Sequence, residues 1–437
     1  MSSEWPLVPL EALADEVTVG FVGTMADQYV DAGIPFLRSL NIEPFAVKKT
    51  DLKFISPEFH AKLKKSALRS GDVAIVRTGK PGTCAVIPES LGEANCSDLV
   101  LVRCGPRLRP EFFSYWVNAA AVNHIAANLV GAVQQHFNVS AAKRMLVACP
   151  TLAEQDNLVE LIGGMNDRIN LLRETNATLE AIAQALFKSW FVDFDPVRAK
   201  MEGRAPEGMD EATAALFPDA LEEAELGWVP KGWRVLPIGD AVEATGGATP
   251  DTKNAAYWTP AIHCWTTPKD LSGIAAPVLL DTERKLSDQG LAKIGSGLLP
   301  VGTLLLSSRA PIGYLAIAHV PLAINQGYIA IPPGGLLPPL YMLYWCRQNM
   351  DFIKARANGS TFMEISKKAF RPIPALIPPA QIVNSFAEAA GALFDRLVEN
   401  EKQAQTLSTL RDTLLPRLIS GQLRLTGAMA EIEKAAA

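Results

Sequence analysis

Two kinds of apolar spacing alternate along this 437-residue chain. Over residues 5 to about 150 the apolar positions come in short runs bounded by turn residues. Val73-Ala74-Ile75-Val76, Cys84-Ala85-Val86-Ile87 and Leu99-Val100-Leu101-Val102 predict strands, since short β-branched runs suit a buried sheet. Residues 112–127 predict a helix, and the whole segment a mixed α/β globule. At Thr151 the spacing changes. Residues 152–191 hold no proline, and their only glycines are Gly163 and Gly164. Apolar residues recur in steps of three and four at Leu158, Ile162, Met165, Ile169, Leu172, Leu179, Ile182, Leu186 and Trp190, with Asn176 as the polar member. That is a heptad seam on a long helix.

Globule and seam then occur a second time. Trp5-Pro6-Leu7-Val8-Pro9-Leu10 returns as Trp233-Arg234-Val235-Leu236-Pro237-Ile238, an offset of 228 (233 − 5). Asp167-Arg168-Ile169-Asn170 returns as Asp395-Arg396-Leu397-Val398, again 228 (395 − 167). The second seam runs through Phe386, Ala390, Leu393, Leu397, Asn400, Ala404, Leu407, Leu410, Leu414 and Leu418. Each helix could pack alone on its own globule. Seams this long exceed what one small globule covers, so the two helices are expected to pair, with an Asn in each to fix register. At 1.5 Å per residue each spans about 58 Å. The predicted layout is a globule over 1–151, a long helix over 152–191 and an acidic connector over 192–230. A second globule over 231–378, a second long helix over 379–420 and a frayed tail or cloning remnant over 421–437 complete it. The fold class is α/β (α+β), with an internal repeat.

Charge changes the picture through its distribution. The net charge of −5 argues against a nucleic-acid partner. Residues 38–109, however, carry 13 Lys/Arg and 7 Asp/Glu, a net of +6 (13 − 7), while residues 192–225 carry 3 and 10, a net of −7 (3 − 10). Lys62, Lys64, Lys65 and Arg69 form either a solvated face or a set of phosphate contacts. The N-terminus does not read as a signal peptide and no apolar run approaches the roughly 20 residues of a spanning helix, so a cytoplasmic protein with no membrane partner is expected. The six cysteines form no CxxC pair and read as buried thiols.

Catalytic motifs are scarce. Thr78-Gly79-Lys80-Pro81 falls short of a phosphate-binding loop, because position 74 is Ala and Lys80 is followed by Pro. The five histidines are scattered and no metal site is expected. Asp251 with Glu283 and Lys285 fits the loose carboxylate-plus-lysine pattern of Mg²⁺-dependent nucleases, but the first copy has no equivalent. A coiled-coil scaffold with two protein-binding globules is the other alternative. No Pro-Pro pair follows Asp or Asn, so methylation chemistry is not expected of this chain itself.

One stretch is more specific. Ala185-Leu186-Phe187-Lys188-Ser189-Trp190-Phe191-Val192-Asp193-Phe194-Asp195-Pro196-Val197-Arg198-Ala199-Lys200 resembles the specificity subunit of type I restriction-modification systems, as does Leu226-Gly227-Trp228-Val229-Pro230-Lys231-Gly232-Trp233. The resemblance implies two target-recognition domains separated by two long antiparallel coiled-coil helices in a pseudo-two-fold frame. Each domain reads half of a bipartite, asymmetric site in double-stranded DNA. The helices carry two methyltransferase subunits, and restriction subunits complete the enzyme. The subunit itself is non-catalytic, so S-adenosylmethionine, ATP and Mg²⁺ belong to its partners. The resemblance also marks candidate DNA contacts. A Gly-rich polar loop before each long helix supplies Gln134, Gln135, His136 and Asn138 in copy one, and Ser360 and Thr361 in copy two. Strand-turns supply Arg77, Thr78 and Lys80, aligned with Ser308 and Arg309. Arg38 and Ser39 align with Thr266, Thr267 and Lys269. Gln and Asn suit adenine and Arg suits guanine, whereas Lys more often holds phosphate. Asn138 or Ser140 could equally serve as a helix N-cap.

Overall fold

The computed structural model describes residues 5–130, 136–309, 311–359, 363–425, 427, 428 and 431. In each globule the first strand pairs with the last. Leu7–Pro9 runs antiparallel to Leu146–Ala148, and Arg234–Pro237 to Pro374–Ile377. The register is the same in both: Leu7 faces Ala148 and Val235 faces Leu376, each shifted by 228 (235 − 7; 376 − 148). A long helix follows directly in each case, Leu152–Lys188 and Ala380–Ile419. The chain divides into two compact units, Met1–Asn170 with Gln405–Ala437, and Leu171–Ala404. Both divisions fall within the long helices.

Unit 1 holds an antiparallel sheet in the order Cys84–Val86, Val73–Val76, Leu99–Cys104, Ala14–Val19. Its second sheet orders Tyr29–Val30, Lys53–Ile55, Ile34–Leu37, Ala94–Cys96 and Ala67–Leu68, and the Ile34–Leu37/Ala94–Cys96 pair is parallel. Helix Pro110–Ala120 buries Phe112, Phe113, Tyr115 and Trp116 in a core shared with Leu158, Ile162 and Met165 of one long helix and Leu414, Leu415, Leu418 and Ile419 of the other. The helix expected over 112–127 is broken. Ala121, buried at ψ −4°, ends it, and a separate turn over Val122–Ala127 carries Ile125 into the core.

Unit 2 repeats the scheme. Leu304–Ser307 lies between Leu315–Ala318 and Tyr328–Ile331, and His263–Thr266 runs parallel to Leu322–Ile324. The connector over 192–230 is not a bare linker. Residues Ser189–Asp193 continue the helix in a wider turn, Phe194 takes a left-handed φ of 58°, and helices Asp195–Met201 and Glu211–Leu216 lead to the hairpin Leu221–Ala224/Gly227–Pro230. Trp190, Phe191, Phe194, Phe217 and Trp233 are all buried in the unit 2 core, with Phe191 at 4.9 Å from Tyr341 and 5.2 Å from Phe386. Burying each such ring contributes roughly 1.5–3 kcal/mol. The acidic residues lie on the outside of this apolar element, where carboxylates keep their water. The described part of the tail also packs: Leu423 and Leu425 sit partly buried on the unit 1 core, and Arg417 holds Glu431 at 2.8 and 2.9 Å.

The seam residues Leu158, Ile162, Met165, Ile169, Leu172, Leu397 and Leu414 are buried, and Leu179, Leu393 and Leu407 half-buried. Past Leu179 the seam shifts. Ile182 is 50% exposed, and Ala183, Phe187 and Trp190 take the inward positions. A straight helix drifts against a 3.5-residue repeat, and here it turns toward the aromatic helix Pro339–Gln348, with Phe187 at 5.1 Å from Tyr341. In unit 2 the two polar seam residues meet. Asn400 Nδ2 donates to Asn176 Oδ1 at 2.9 Å, and Asn176 Nδ2 donates to the Leu397 carbonyl at 3.2 Å.

Asn176 and Asn400 are 3% and 1% exposed, so neither has water to fall back on. Asn176→Leu strands the Asn400 amide and is expected to lower unfolding free energy by about 1–3 kcal/mol. Adding Asn400→Leu is expected to recover most of that loss. Chemical denaturation of the two single variants and the double variant measures the coupling, and strictly additive losses would contradict the pairing.

Candidate nucleic-acid interface

Parallel strands have both their C-terminal ends at one edge of a sheet, where open α/β sheets place their binding loops. In unit 1 the pair Phe36–Asn95 and Leu37–Cys96 ends there, and the Ser97 N–H donates to the Leu37 carbonyl at 3.0 Å. In unit 2 Trp265–Ala323 and Thr266–Ile324 end likewise, and the Asn325 N–H donates to the Thr266 carbonyl at 3.1 Å. Each strand continues into a short 3₁₀ turn, Ser39–Asn41 or Pro268–Leu271, with reciprocal capping. The Arg38 N–H donates to Asn41 Oδ1 at 3.0 Å, and the Thr267 N–H to Asp270 Oδ2 at 2.7 Å.

The strand-turns reach the same edge. Val76 N–H donates to Thr83 and Gly82 N–H back to Val76; Ser307 N–H donates to Tyr314 and Gly313 N–H back to Ser307. Gly82 and Gly313 have φ of +95° and +113°, a region that side chains disfavour. The Gly-rich loops are closed by matching bridges, Val130 with His136 and Asn358 with Glu364, both offset by 228 (358 − 130; 364 − 136). Beyond them Phe137 N–H donates to the Arg77 carbonyl at 3.1 Å and Ile365 N–H to the Ser308 carbonyl at 2.9 Å. The predicted alignment of Arg77 with Ser308 is therefore the backbone equivalence. Four segments converge in each unit: 37–41, 77–80, 97–98 and 136–138 in unit 1, and 266–270, 308–309, 325–326 and 364–366 in unit 2.

The candidate side chains divide sharply. Arg38 gives Nη2 to the Asp51 carbonyl at 2.7 Å and to its carboxylate at 2.9 Å, and this hydrogen bond holds the Asp51 carboxyl below its ordinary range. Arg77 gives Nε to the Phe137 carbonyl at 2.9 Å and Nη1 to Asp98 at 2.7 Å, and Thr78 donates to the other Asp98 oxygen at 3.1 Å. Thr266 is fully buried against Tyr328 and Ser308 is 2% exposed. Asn138 accepts from the Ala141 N–H at 2.8 Å, so it caps the short helix Val139–Lys143. These residues build the edge. Lys80 is exposed, with no ion pair among the described residues, Ser39 and His136 are half-exposed, and Lys269 is exposed but paired with Glu283 at 2.7 Å. Arg309 donates to the Gln326 carbonyl at 3.0 Å and lies 3.8 Å from Glu364. Gln134, Gln135, Ser360 and Thr361 lie outside the described residues. Lys64 and Lys65 are exposed beside Ser66, whose carbonyl meets Cys96 at this same edge.

Sequence reasoning did not reach Ser97-Asp98 and Asn325-Gln326. Their signal was present: each is a polar pair directly after a buried strand, at the repeat offset of 228 (326 − 98). The nuclease alternative gains nothing from the geometry. Asp251 caps its own turn at the Lys253 N–H, Glu283 pairs with Lys269, and Lys285 pairs with Asp281. No group of three or more His, Cys, Asp or Glu is placed to hold a metal among the described residues. Nor, among them, is any helix long and apolar enough to cross a membrane.

Comparison with known proteins gives this edge its context. Residues 230–415 match the family model of the type I restriction modification DNA specificity domain. The chain is 36% identical over 185 residues to the type I restriction enzyme MjaIX specificity subunit of Methanocaldococcus jannaschii, and that match covers 42% of each protein. It is 26% identical over 315 residues to the HindI specificity subunit of Haemophilus influenzae, covering 63% of this chain and 68% of the relative. A crystal structure of the type I restriction-modification S subunit from M. genitalium shares the fold, with a TM-score of 0.54 at 13% identity over 95% of this chain and 96% of that one. The second half of the chain is thus similar in sequence to type I restriction modification DNA specificity domains. The chain as a whole is similar to curated specificity subunits of type I restriction enzymes, most strongly over less than half of its length.

The two classes of basic residue make opposite demands. Arg77→Ala leaves Asp98 and the Phe137 carbonyl without their donor, and is expected to lower stability by about 1–3 kcal/mol. Lys80→Ala is expected to change it by less than about 0.5 kcal/mol. Thermal unfolding of the two variants, side by side with the parent, checks both.

Proposed function

We propose that the chain recognises a split site in double-stranded DNA, one half per unit, as the non-catalytic subunit of a type I restriction-modification complex. The observation that carries this reading is the recurrence of one four-segment edge in both units with different side chains on it. A single backbone plan with two sets of donors suits an asymmetric, bipartite target. The exposed lysines hold phosphate, and the amides and hydroxyls of the edge reach base edges in the major groove.

The helices Leu152–Lys188 and Ala380–Ile419 act in this reading as an antiparallel coiled-coil spacer and as the seat of two methyltransferase subunits, to which restriction subunits are added. An upper bound of about 58 Å corresponds to about 17 base pairs, and half-sites about one helical turn apart keep both units on one face of the duplex. S-adenosylmethionine, ATP and Mg²⁺ are bound by the partner subunits.

The test is selection from a randomised double-stranded DNA library by the chain co-purified with its methyltransferase subunit. A motif of two fixed halves and a constant gap is expected. Inserting one heptad into both long helices should widen the gap and leave each half unchanged. An unchanged gap overturns the spacer role. Lys80→Ala should weaken binding to all sequences alike and reduce the salt slope by about 1; titrations at several salt concentrations read that change.

A further inference from the structure

The edges of the two units differ most where their backbones agree. Asp98 and Gln326 occupy one position, offset by 228 (326 − 98), each directly after the residue that closes the parallel pair. Their side chains are in opposite states. In unit 1 both Asp98 oxygens are taken, Oδ1 by Arg77 at 2.7 Å and Oδ2 by Thr78 at 3.1 Å. In unit 2 Gln326 is exposed and pinned at two points. Its carbonyl side-chain oxygen accepts from the Thr249 hydroxyl at 2.6 Å, and its backbone carbonyl accepts from Arg309 at 3.0 Å. Its side-chain nitrogen donates to nothing among the described residues. Thr249 is specific to this copy. Phe21 N–H pairs with the Cys96 carbonyl as Ala248 N–H pairs with the Ile324 carbonyl, so the residue matching Thr249 is Val22, which has no hydroxyl and is 67% exposed.

Resting on the DNA-recognition reading above, we infer that Gln326 is a specificity-determining residue of unit 2 that reads an adenine edge, and that unit 1 makes no such contact at Asp98. A glutamine amide offers a donor to adenine N7 and an acceptor to its N6 amino group. Thr249 occupies one lone pair of the Gln326 oxygen and leaves the second for N6. The Thr249 bond orients the amide before DNA arrives and the Arg309 bond holds the backbone beneath it, so less rotamer freedom is lost on binding. Asp98 has no donor for N7. Its charge is neutralised within the protein, as a carboxylate facing phosphates must be.

The experiment is the same randomised-library selection, run with the full chain and its methyltransferase subunit, for the parent, Gln326→Ala, Gln326→Glu and Asp98→Asn. Thermal unfolding is run on each to confirm the fold. Gln326→Ala is expected to cut discrimination at one adenine of one half-site by about tenfold or more, leaving the other half and the gap intact. Gln326→Glu, which exchanges the N7 donor for an acceptor, should turn that position away from adenine. Asp98→Asn should leave that position unchanged. If the parent enriches a split motif and both Gln326 variants enrich the same one, the inference is overturned while the recognition reading survives. If the parent enriches no motif, the recognition reading fails and the inference falls with it.

Discussion

The pairing of each globule's first strand with its last is the constraint from which the rest follows. Leu7–Pro9 on Leu146–Ala148 and Arg234–Pro237 on Pro374–Ile377 bring the start of each globule to the residues just before a long helix. The intervening chain is thereby closed at its base. Its loops are tethered far from their tips, so changes there do not disturb the start of the helix. The second constraint acts inside the closed loop. A parallel pair needs a crossover, and the crossover returns the chain so that both C-terminal ends share an edge. The four candidate segments gather there because topology leaves them no other place.

The aromatic motif and the candidate edge have different physical roles. Trp190, Phe191, Phe194 and Pro196 make the sequence recognisable, yet all are buried. They are fixed by packing density, which tolerates few alternatives. The edge is fixed only in its backbone hydrogen bonds, so its side chains are free to diverge. The acidic charge that argued against nucleic acid lies largely on the connector elements outside this aromatic core, within unit 2.

Periodicity made the strands, both long helices and the repeat legible, because burial imposes it over many residues. It failed where one residue decides. Ile182 fits the heptad count, but Ala183 is the inward residue, since a neighbouring aromatic helix and not a repeat sets that turn. The connector's helices were hidden by its charge, and the tail's packing by its composition. Arg38 and Arg77 are candidate DNA contacts by sequence; a guanidinium with five donors is also the side chain best able to tie loops together, and both tie loops here. Asp98 and Gln326 lay beyond any motif, because a single polar residue after a strand acquires meaning only when the sheet shows what it faces.

The divergence between the two edges is itself ordered. Arg77 with Asp98 in unit 1 becomes Ser308 with Gln326 in unit 2, so a charged pair is replaced by a neutral one and no half-buried charge is left alone. The arginine of unit 2 stands one residue later, at Arg309, and there its neighbour Glu364 replaces His136. Thr249 accompanies Gln326, where Val22 accompanies Asp98. Leaving one member of such a pair unmatched costs about 1–3 kcal/mol, a large fraction of the stability of an ordinary domain. In the proposed reading, single substitutions at Arg77 or Asp98 therefore trade recognition against folding, whereas paired ones exchange one set of donors for another on the same backbone. Gln326, being exposed, changes its donors by itself in that reading, whereas Arg77 and Asp98, which hold each other, change together.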